Sequence, residues 1–356
     1  MNESPLVTGL IDQLPAHGIR TEYKNRADWL KARFGRIGGS SVSCLYGYGY
    51  KKSMLEFWDE KAGNYVAPVK KDSGAMRRGR RLEVPILEDF ADQTGWDVEP
   101  WPQSWVLDHP TVPKLGVTLD GLAKPKQENF PFPLNKNEVI VASVKTANEF
   151  ARARWPRNDE GGFMMLPPHQ IQLQAEMECA GLRYGVLIVQ VGFDFDDMIW
   201  IPVARDAEFC EGMREDVTKF WESIENGERP MVDGSEETYD YLRRLYKNAD
   251  ESATYLPGDA DLWLAEWAEG TALRKAGEAK ETAAKSKFMA ALENSSYGLT
   301  VKGEALTYKE QSRTTTDSGK LRAKYPEAAE ECEKTSFFRV LRHVKKLPPE
   351  VLAMLG

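Results

Sequence analysis

Glu138-Val-Ile-Val-Ala-Ser143-Val-Lys145-Thr146 is an apolar, β-branched run that ends on a cation. Such a run predicts a buried strand. Strand alternation puts residues 143 and 145 on one face. Two flanking stretches join it. Upstream, Gly116-Val-Thr-Leu-Asp120-Gly-Leu122 sets a carboxylate at a turn after another β-rich run. Downstream, Gln172-Leu-Gln174-Ala-Glu176-Met177 lies in a predicted helix, where Gln172 and Glu176 share a face. Taken singly, each has an ordinary explanation: a turn Asp-Gly, a solvated strand-end lysine, a polar helix stripe. In chain order they give acid, cation and amide around one strand.

The surrounding pattern supports a mixed sheet with helices. Residues 1–24 read as a loose leader. Arg26 to Phe34 predicts a helix with Trp29, Leu30 and Phe34 on one side. A short helix follows Ser40 or Ser41, and another spans Ser53 to Ala62. Asp72 or Ser73 caps a long helix to Thr94, which Pro85 must bend or shift and Gly95 stops. Strands are expected at 105–107, 115–119, 139–144, 186–191 and 198–202. The last two would form a meander through Asp194-Phe-Asp-Asp197. Helices are expected at 169–180 and 206–226. After the break Asn226-Gly-Glu-Arg-Pro230 come a long helix (262–292), a hairpin around Gly303 and a last strand from Thr335 to Val344. The fold class is α+β (α/β-like), a mixed central β-sheet flanked by helices. The expected divisions are a leader (1–24), a core (25–228) and a C-terminal helical and hairpin extension (229–356).

Composition narrows the class. The chain of 356 residues is 42% hydrophobic and 29% charged, which excludes a fully disordered or membrane-spanning protein. No apolar run nears the roughly 18 residues of a spanning helix. The N-terminus lacks the basic and apolar parts of a secretion signal. Cys44, Cys179, Cys210 and Cys332 are scattered, which argues against zinc or disulfides and for a cytoplasmic location. With a net charge of −8, nucleic acid would bind a local basic channel rather than the whole surface. Arg77-Arg78-Gly-Arg80-Arg81, Arg152 with Arg154 and Arg157, and Arg339-Val-Leu-Arg342-His-Val-Lys345-Lys346 could line one, or form solvated faces.

Phosphodiester cleavage needs an activated water and charge relief on phosphate, which Mg²⁺ supplies when carboxylates hold it there. Two carboxylates and a carbonyl suit its oxygen-ligand, octahedral preference. A nearby lysine orients the water or neutralises developing charge.

Together these stretches resemble the PD-(D/E)XK nuclease core, and within it the lambda-exonuclease or YqaJ-type family of phage recombination nucleases. Arg33-Phe-Gly-Arg-Ile-Gly-Gly-Ser40 is similar to that family's N-terminal motif, whose arginine and serine hold the 5′-phosphate of a DNA end. Gly79-Arg-Arg-Leu-Glu83, followed by Phe90-Ala-Asp-Gln-Thr-Gly95-Trp96, is similar to the helix whose glutamate joins the metal site. Asp120 fits the metal-bridging aspartate, Val144 the carbonyl ligand, Lys145 the catalytic lysine and Gln172 the glutamine. The resemblance covers about residues 25–225; Lys334-Thr-Ser-Phe-Phe-Arg339 is more weakly similar to tails on many such proteins. It implies a Mg²⁺-dependent exonuclease, with Mn²⁺ substituting, that digests linear duplex DNA from the 5′ end. It also implies double-stranded DNA ends and a single-strand annealing protein as partners, a homo-oligomeric ring, and no membrane.

Two departures stand out. The loop Lys124 to Asn137 is longer than in compact members. More importantly, the strand acid expected two residues before Lys145 is Ser143, and a hydroxyl cannot bring a carboxylate's charge to Mg²⁺. Three readings follow. The acid has moved to Glu176, as in restriction enzymes of the superfamily that take it from a following helix. Or the site is inactive and the chain is a DNA-end-binding protein. Or Asp120, Glu83 and the Val144 carbonyl suffice for slower cutting. A structure-specific endonuclease on the same core is a further alternative.

Overall fold

The computed structural model describes residues 6–67, 73–192, 198–250, 252–344 and 346–355. They form two compact units, Met1–Leu245 and Tyr246–Gly356. No helix among the described residues is long and apolar enough to cross a membrane.

The first unit is built on a five-stranded mixed sheet, the α+β arrangement expected. Its strands are β2 (Asp97–Pro100), β5 (Gly121–Lys124), β6 (Ile140–Ala147), β7 (Tyr184–Val191) and β8 (Met198–Ala204), in the order β2-β5-β6-β7-β8. Only β6 and β7 are parallel. The crossover between them carries α5 (Ala151–Arg154) and α6 (Pro167–Ala180). β7 and β8 are antiparallel, as expected of a meander; its proposed turn, 194–197, lies outside the described residues.

Alternation along β6 divides the core. Val141 packs with Leu173, Ala175 and Met177 of α6 on one face. Ile140, Ala142 and Val144 pack with Ile86, Leu87 and Phe90 of α4 (Gly74–Thr94) on the other. Ser143 and Lys145 therefore point to the α6 side. Local signals placed the helix ends. Ser53 caps α3 (Met54–Ala62) by accepting from Glu56 N, and Ser73 caps α4 by accepting from Met76 N. Asp206 caps α7 (Ala207–Glu225), and Gly95 ends α4 at a φ of 65°. Pro85 lies inside α4 without shifting its start.

Several expectations are corrected. The leader is not loose throughout. β1 (Ile19–Glu22) pairs antiparallel with β3 (Trp105–Asp108), which pairs with β4 (Gly116–Val117) in a second, three-stranded sheet. Leu10 and Ile11 are buried. In α1 (Arg26–Phe34) only Trp29 is buried; Leu30 and Phe34 are exposed. The short helix α2 (Gly39–Val42) has Gly38, not a serine, at its N-cap. The break at 226–230 lies within the first unit, because α8 (Glu236–Leu245) is fastened to α3. The Tyr241 hydroxyl donates to Asp59 (2.5 Å), which also accepts from Arg229, and Arg244 donates to Glu56 (2.8 Å).

In the second unit α9 (Ala260–Leu292) precedes the hairpin of β9 (Tyr297–Leu299) and β10 (Ala305–Thr307), turning at Gly303. Short helices α10 (Ser318–Lys324), α11 (Pro326–Glu331) and α12 (Pro349–Leu352) follow. The expected strand at Thr335–Val344 does not form. β-rich composition makes a strand only where a neighbour offers a ladder, and residues 335–344 have none.

Helix α6 is buried on nearly every side, so its charged residues need partners. Glu178, 4% exposed, accepts from Arg205 Nε (2.6 Å) and Arg214 Nη1 (2.5 Å), with His109 Nε2 at 3.4 Å. Burial alone would raise its pKa; the hydrogen bonds from His109, Arg214 and Arg205 hold it well below the usual carboxylate range. Glu178→Gln leaves both arginines facing a neutral amide. We expect it to cost about 2–3 kcal/mol at pH 7 in urea unfolding. Because a depressed pKa stabilises only above the unfolded value, the deficit should shrink as pH falls through the acid range.

Candidate functional site

The site lies where β5 stops and β6 continues. Gly121 pairs with Ala142, so Ser143 and the residues after it have no β5 partner. The Asp120 carboxylate takes the place of the missing ladder. Its Oδ2 accepts from Val144 N at 2.7 Å and from the Ser143 hydroxyl at 3.4 Å. Lys145 Nζ lies 3.7 Å from the same oxygen and donates to Val144 O (3.0 Å) and Ser143 Oγ (3.4 Å). Asp120, Ser143, Val144 and Lys145 thus form one cluster.

Two glycines let helices close on it. A Cβ at Gly121 would sit 2.9 Å from Leu87 Cδ1 and 3.1 Å from Glu99 O. That close approach brings α4 to the start of β5, and Glu83, one turn before Leu87, comes into reach of Asp120 and Lys145. A Cβ at Gly39 would lie 3.3 Å from Gln172 Cγ and 3.5 Å from Glu176 Cγ. Helix α2, with Ser40 exposed beside that glycine, therefore lies directly on the functional face of α6.

On that face Gln172 Nε2 donates to Glu176 Oε1 at 2.7 Å. Glu176 is 1% exposed, and its Oε2 has no hydrogen-bond partner. Burial, then the Asp120 charge, raises its pKa; Lys145, Gln172 and Ser143 offset this in part. Glu83 is pushed up to about 7 by burial and by Asp120, against the pull of Lys145, Arg80 and Arg33. The Asp120 charge therefore acts on both Glu83 and Glu176. Arg33 sits on the same side, its guanidinium 4.5 Å from the centre of the Trp29 ring.

The basic clusters fall in different places. Arg78 Nη2 holds Gly192 O (2.7 Å) and Ala147 O (3.3 Å), at the ends of β7 and β6. Arg157 and Arg152 lie 4.0 and 5.2 Å from the centre of the Phe163 ring, in the crossover after β6. Arg339 donates to Tyr246 O (3.1 Å) within the second unit. Lys345 and the Arg154 side chain lie outside the described residues. One neighbour of the site escaped the sequence reading. His169 stacks on Trp155 (centroids 6.3 Å, planes 16° apart) one turn before Gln172. Its spacing of three from Gln172 was the available signal.

The donor set has the chemistry of a hard divalent ion: carboxylates of Asp120, Glu83 and Glu176, and the Val144 carbonyl. The orphaned Glu176 oxygen is the feature that fits such an ion best, because a buried anion lacking a partner is costly. As the side chains stand, no three acid, histidine or cysteine groups among the described residues close around one point. Lys145 occupies the Val144 carbonyl.

Residues 28–183 match the model of the YqaJ-like viral recombinase domain. The chain is 22% identical over 229 residues to the uncharacterized protein YqaJ of Bacillus subtilis (strain 168), covering 64% of this chain and 66% of that one, just under two thirds of its length. Among solved structures it is similar to an alkaline exonuclease from Laribacter hongkongensis (19% identity, TM-score 0.42, 61% of this chain and 96% of that one). The same enzyme in complex with dAMP matches at 19% identity and a TM-score of 0.41, over 61% of this chain and 96% of that one.

A carboxyl whose pKa is raised by folding stabilises below the unfolded pKa, and that contribution is lost as pH rises through the folded value. In EDTA, Glu83→Gln and Glu176→Gln should therefore melt above the wild type at pH 8 and show no gain at pH 4. Thermal melts at the two pH values check this. A penalty for Glu176→Gln at pH 8 would contradict the strained-carboxylate account.

Proposed function

We propose that the chain is a Mg²⁺-dependent nuclease that digests linear duplex DNA from a 5′ end in phage-type recombination, with Glu176 supplying the charge that Ser143 lacks. The observation that carries this reading is the gathering of Asp120, Lys145 and the Gln172–Glu176 pair at the open end of β6. The match of residues 28–183 to the YqaJ-like viral recombinase domain agrees with it.

Asp120, Glu83, Glu176 and the Val144 carbonyl would hold Mg²⁺, or Mn²⁺ in its place. Bound there, the ion supplies charge relief on the scissile phosphate and a more acidic water. Lys145 adds a fixed positive charge beside the phosphate, where preorganised charge acts on the transition state without reorganising. Gln172 fixes the Glu176 carboxylate through its amide and keeps the pair facing the cleft. Arg33 and Ser40 take the terminal 5′-phosphate, a guanidinium and a hydroxyl suited to that anion. A single-strand annealing protein and a ring of identical subunits belong to the same proposal as partners.

Ser143 favours a second reading, an inactive DNA-end binder. Its hydroxyl sits between Asp120 Oδ2 and Lys145 Nζ, 3.4 Å from each, where it brings no charge. Digestion of 5′-phosphorylated linear duplex in Mg²⁺, with circular duplex as control, separates the readings. We expect the wild type to cut only the linear form and Glu176→Gln to lose at least about 100-fold, the upper end of what removing a mere outer partner of a metal ligand costs. Undiminished cutting by Glu176→Gln removes that residue from the mechanism. Activity confined to Ser143→Glu identifies the end binder, and cutting of circles identifies an endonuclease.

A further inference from the structure

The crossover from β6 to α6 folds back onto the helix it feeds. Trp155 is its anchor: 8% exposed, with Nε1 donating to Met164 O at 2.7 Å and its ring stacked on His169. His169, Gln172 and Glu176 follow one another along one helix face, at spacings of three and four. His169 therefore continues the functional face by one turn toward the N-terminus of α6.

The half-buried His169 imidazole makes no hydrogen bond through either ring nitrogen among the described residues. The charged group acting on it is Lys145; burial and that cation together lower its pKa to about 4. It is a neutral imidazole at pH 7, with one N–H and one free acceptor. A second cation here would repel Lys145, whereas an imidazole adds a donor without adding charge. The same crossover packs Arg157 and Arg152 on Phe163, and Lys145 is the charge felt at the ring, so an anion is best received on the Lys145 side.

We propose that His169 is a substrate-contacting residue, donating a ring N–H to a phosphate oxygen of DNA held on the Lys145 side of the cleft. The choice of DNA rests on the nuclease reading; the contact itself stands on the position of the ring. Stacking on Trp155 alone would be served equally by phenylalanine, which gives the test its contrast.

The full chain has four histidines, so ¹⁵N-histidine spectra are simple, and His169→Phe assigns the signal. Titration with a 5′-phosphorylated duplex in EDTA, where nothing is cut, should move the His169 ring nitrogens. In Mg²⁺, His169→Phe should melt with the wild type yet lower kcat by roughly 10- to 100-fold, the size of one hydrogen bond to a charged group. His169→Gln, which keeps a neutral donor, should recover part of the loss. An unmoved His169 signal at saturating DNA overturns the proposal, as does wild-type turnover by His169→Phe. A wild type that binds DNA and shifts His169 but never cuts refutes the nuclease reading and upholds the contact.

Discussion

The bond from Val144 N to Asp120 is the constraint on which the site depends. An interior strand that outruns its neighbour exposes backbone groups that must be satisfied. Here the sheet meets that demand with a carboxylate, because β5 begins at Gly121 and Asp120 falls opposite the first unpaired residue of β6. One side chain thus closes the edge and fixes an anion beside Lys145. The stagger between two strands leaves this stretch of β6 without a neighbour on that side, and the acid beside it is held by a backbone N–H.

The helices answer the same geometry from two sides. Gly121 admits α4 and Gly39 admits α2, each at a distance a methyl group would obstruct. The outcome is a crowd of acids poorly paired with one another, alongside one lysine. That arrangement costs stability, and such local cost is the usual mark of a site kept for chemistry rather than for folding. The Glu178 carboxylate is the contrast: as buried as that of Glu176, but matched by two guanidinium groups.

Much of this was legible in the sequence because it rests on local signals. Ser53, Ser73, Asp206 and Gly95 mark helix ends through bonds made within a few residues. The period-two pattern of β6 set Ser143 with Lys145, and the four-residue spacing set Gln172 with Glu176. What escaped depended on distant partners. β2, β5 and β1 are four residues each and become strands through pairing with segments far along the chain. Thr335–Val344 has the composition of a strand and no edge to join. Phe34 completes an apolar stripe on α1, yet stays exposed, its ring 5.3 Å from the Lys61 ammonium. His169 carried no motif; its meaning came from Trp155 stacking against it.

Helix α6 has a polarity that runs around its axis rather than along it. Glu176 and Glu178 lie two residues apart, roughly 200° around the circumference. One faces Asp120, Lys145 and Gln172, the other the arginine pair. With hardly any face left toward solvent, the helix has almost no neutral orientation into which it could turn. A one-residue insertion before Glu176 would swing both acids by about 100°, stranding each against apolar walls. Such a cylinder tolerates substitution far better than it tolerates a change of length, so lineages carrying this architecture should vary the helix in letters while holding its residue count.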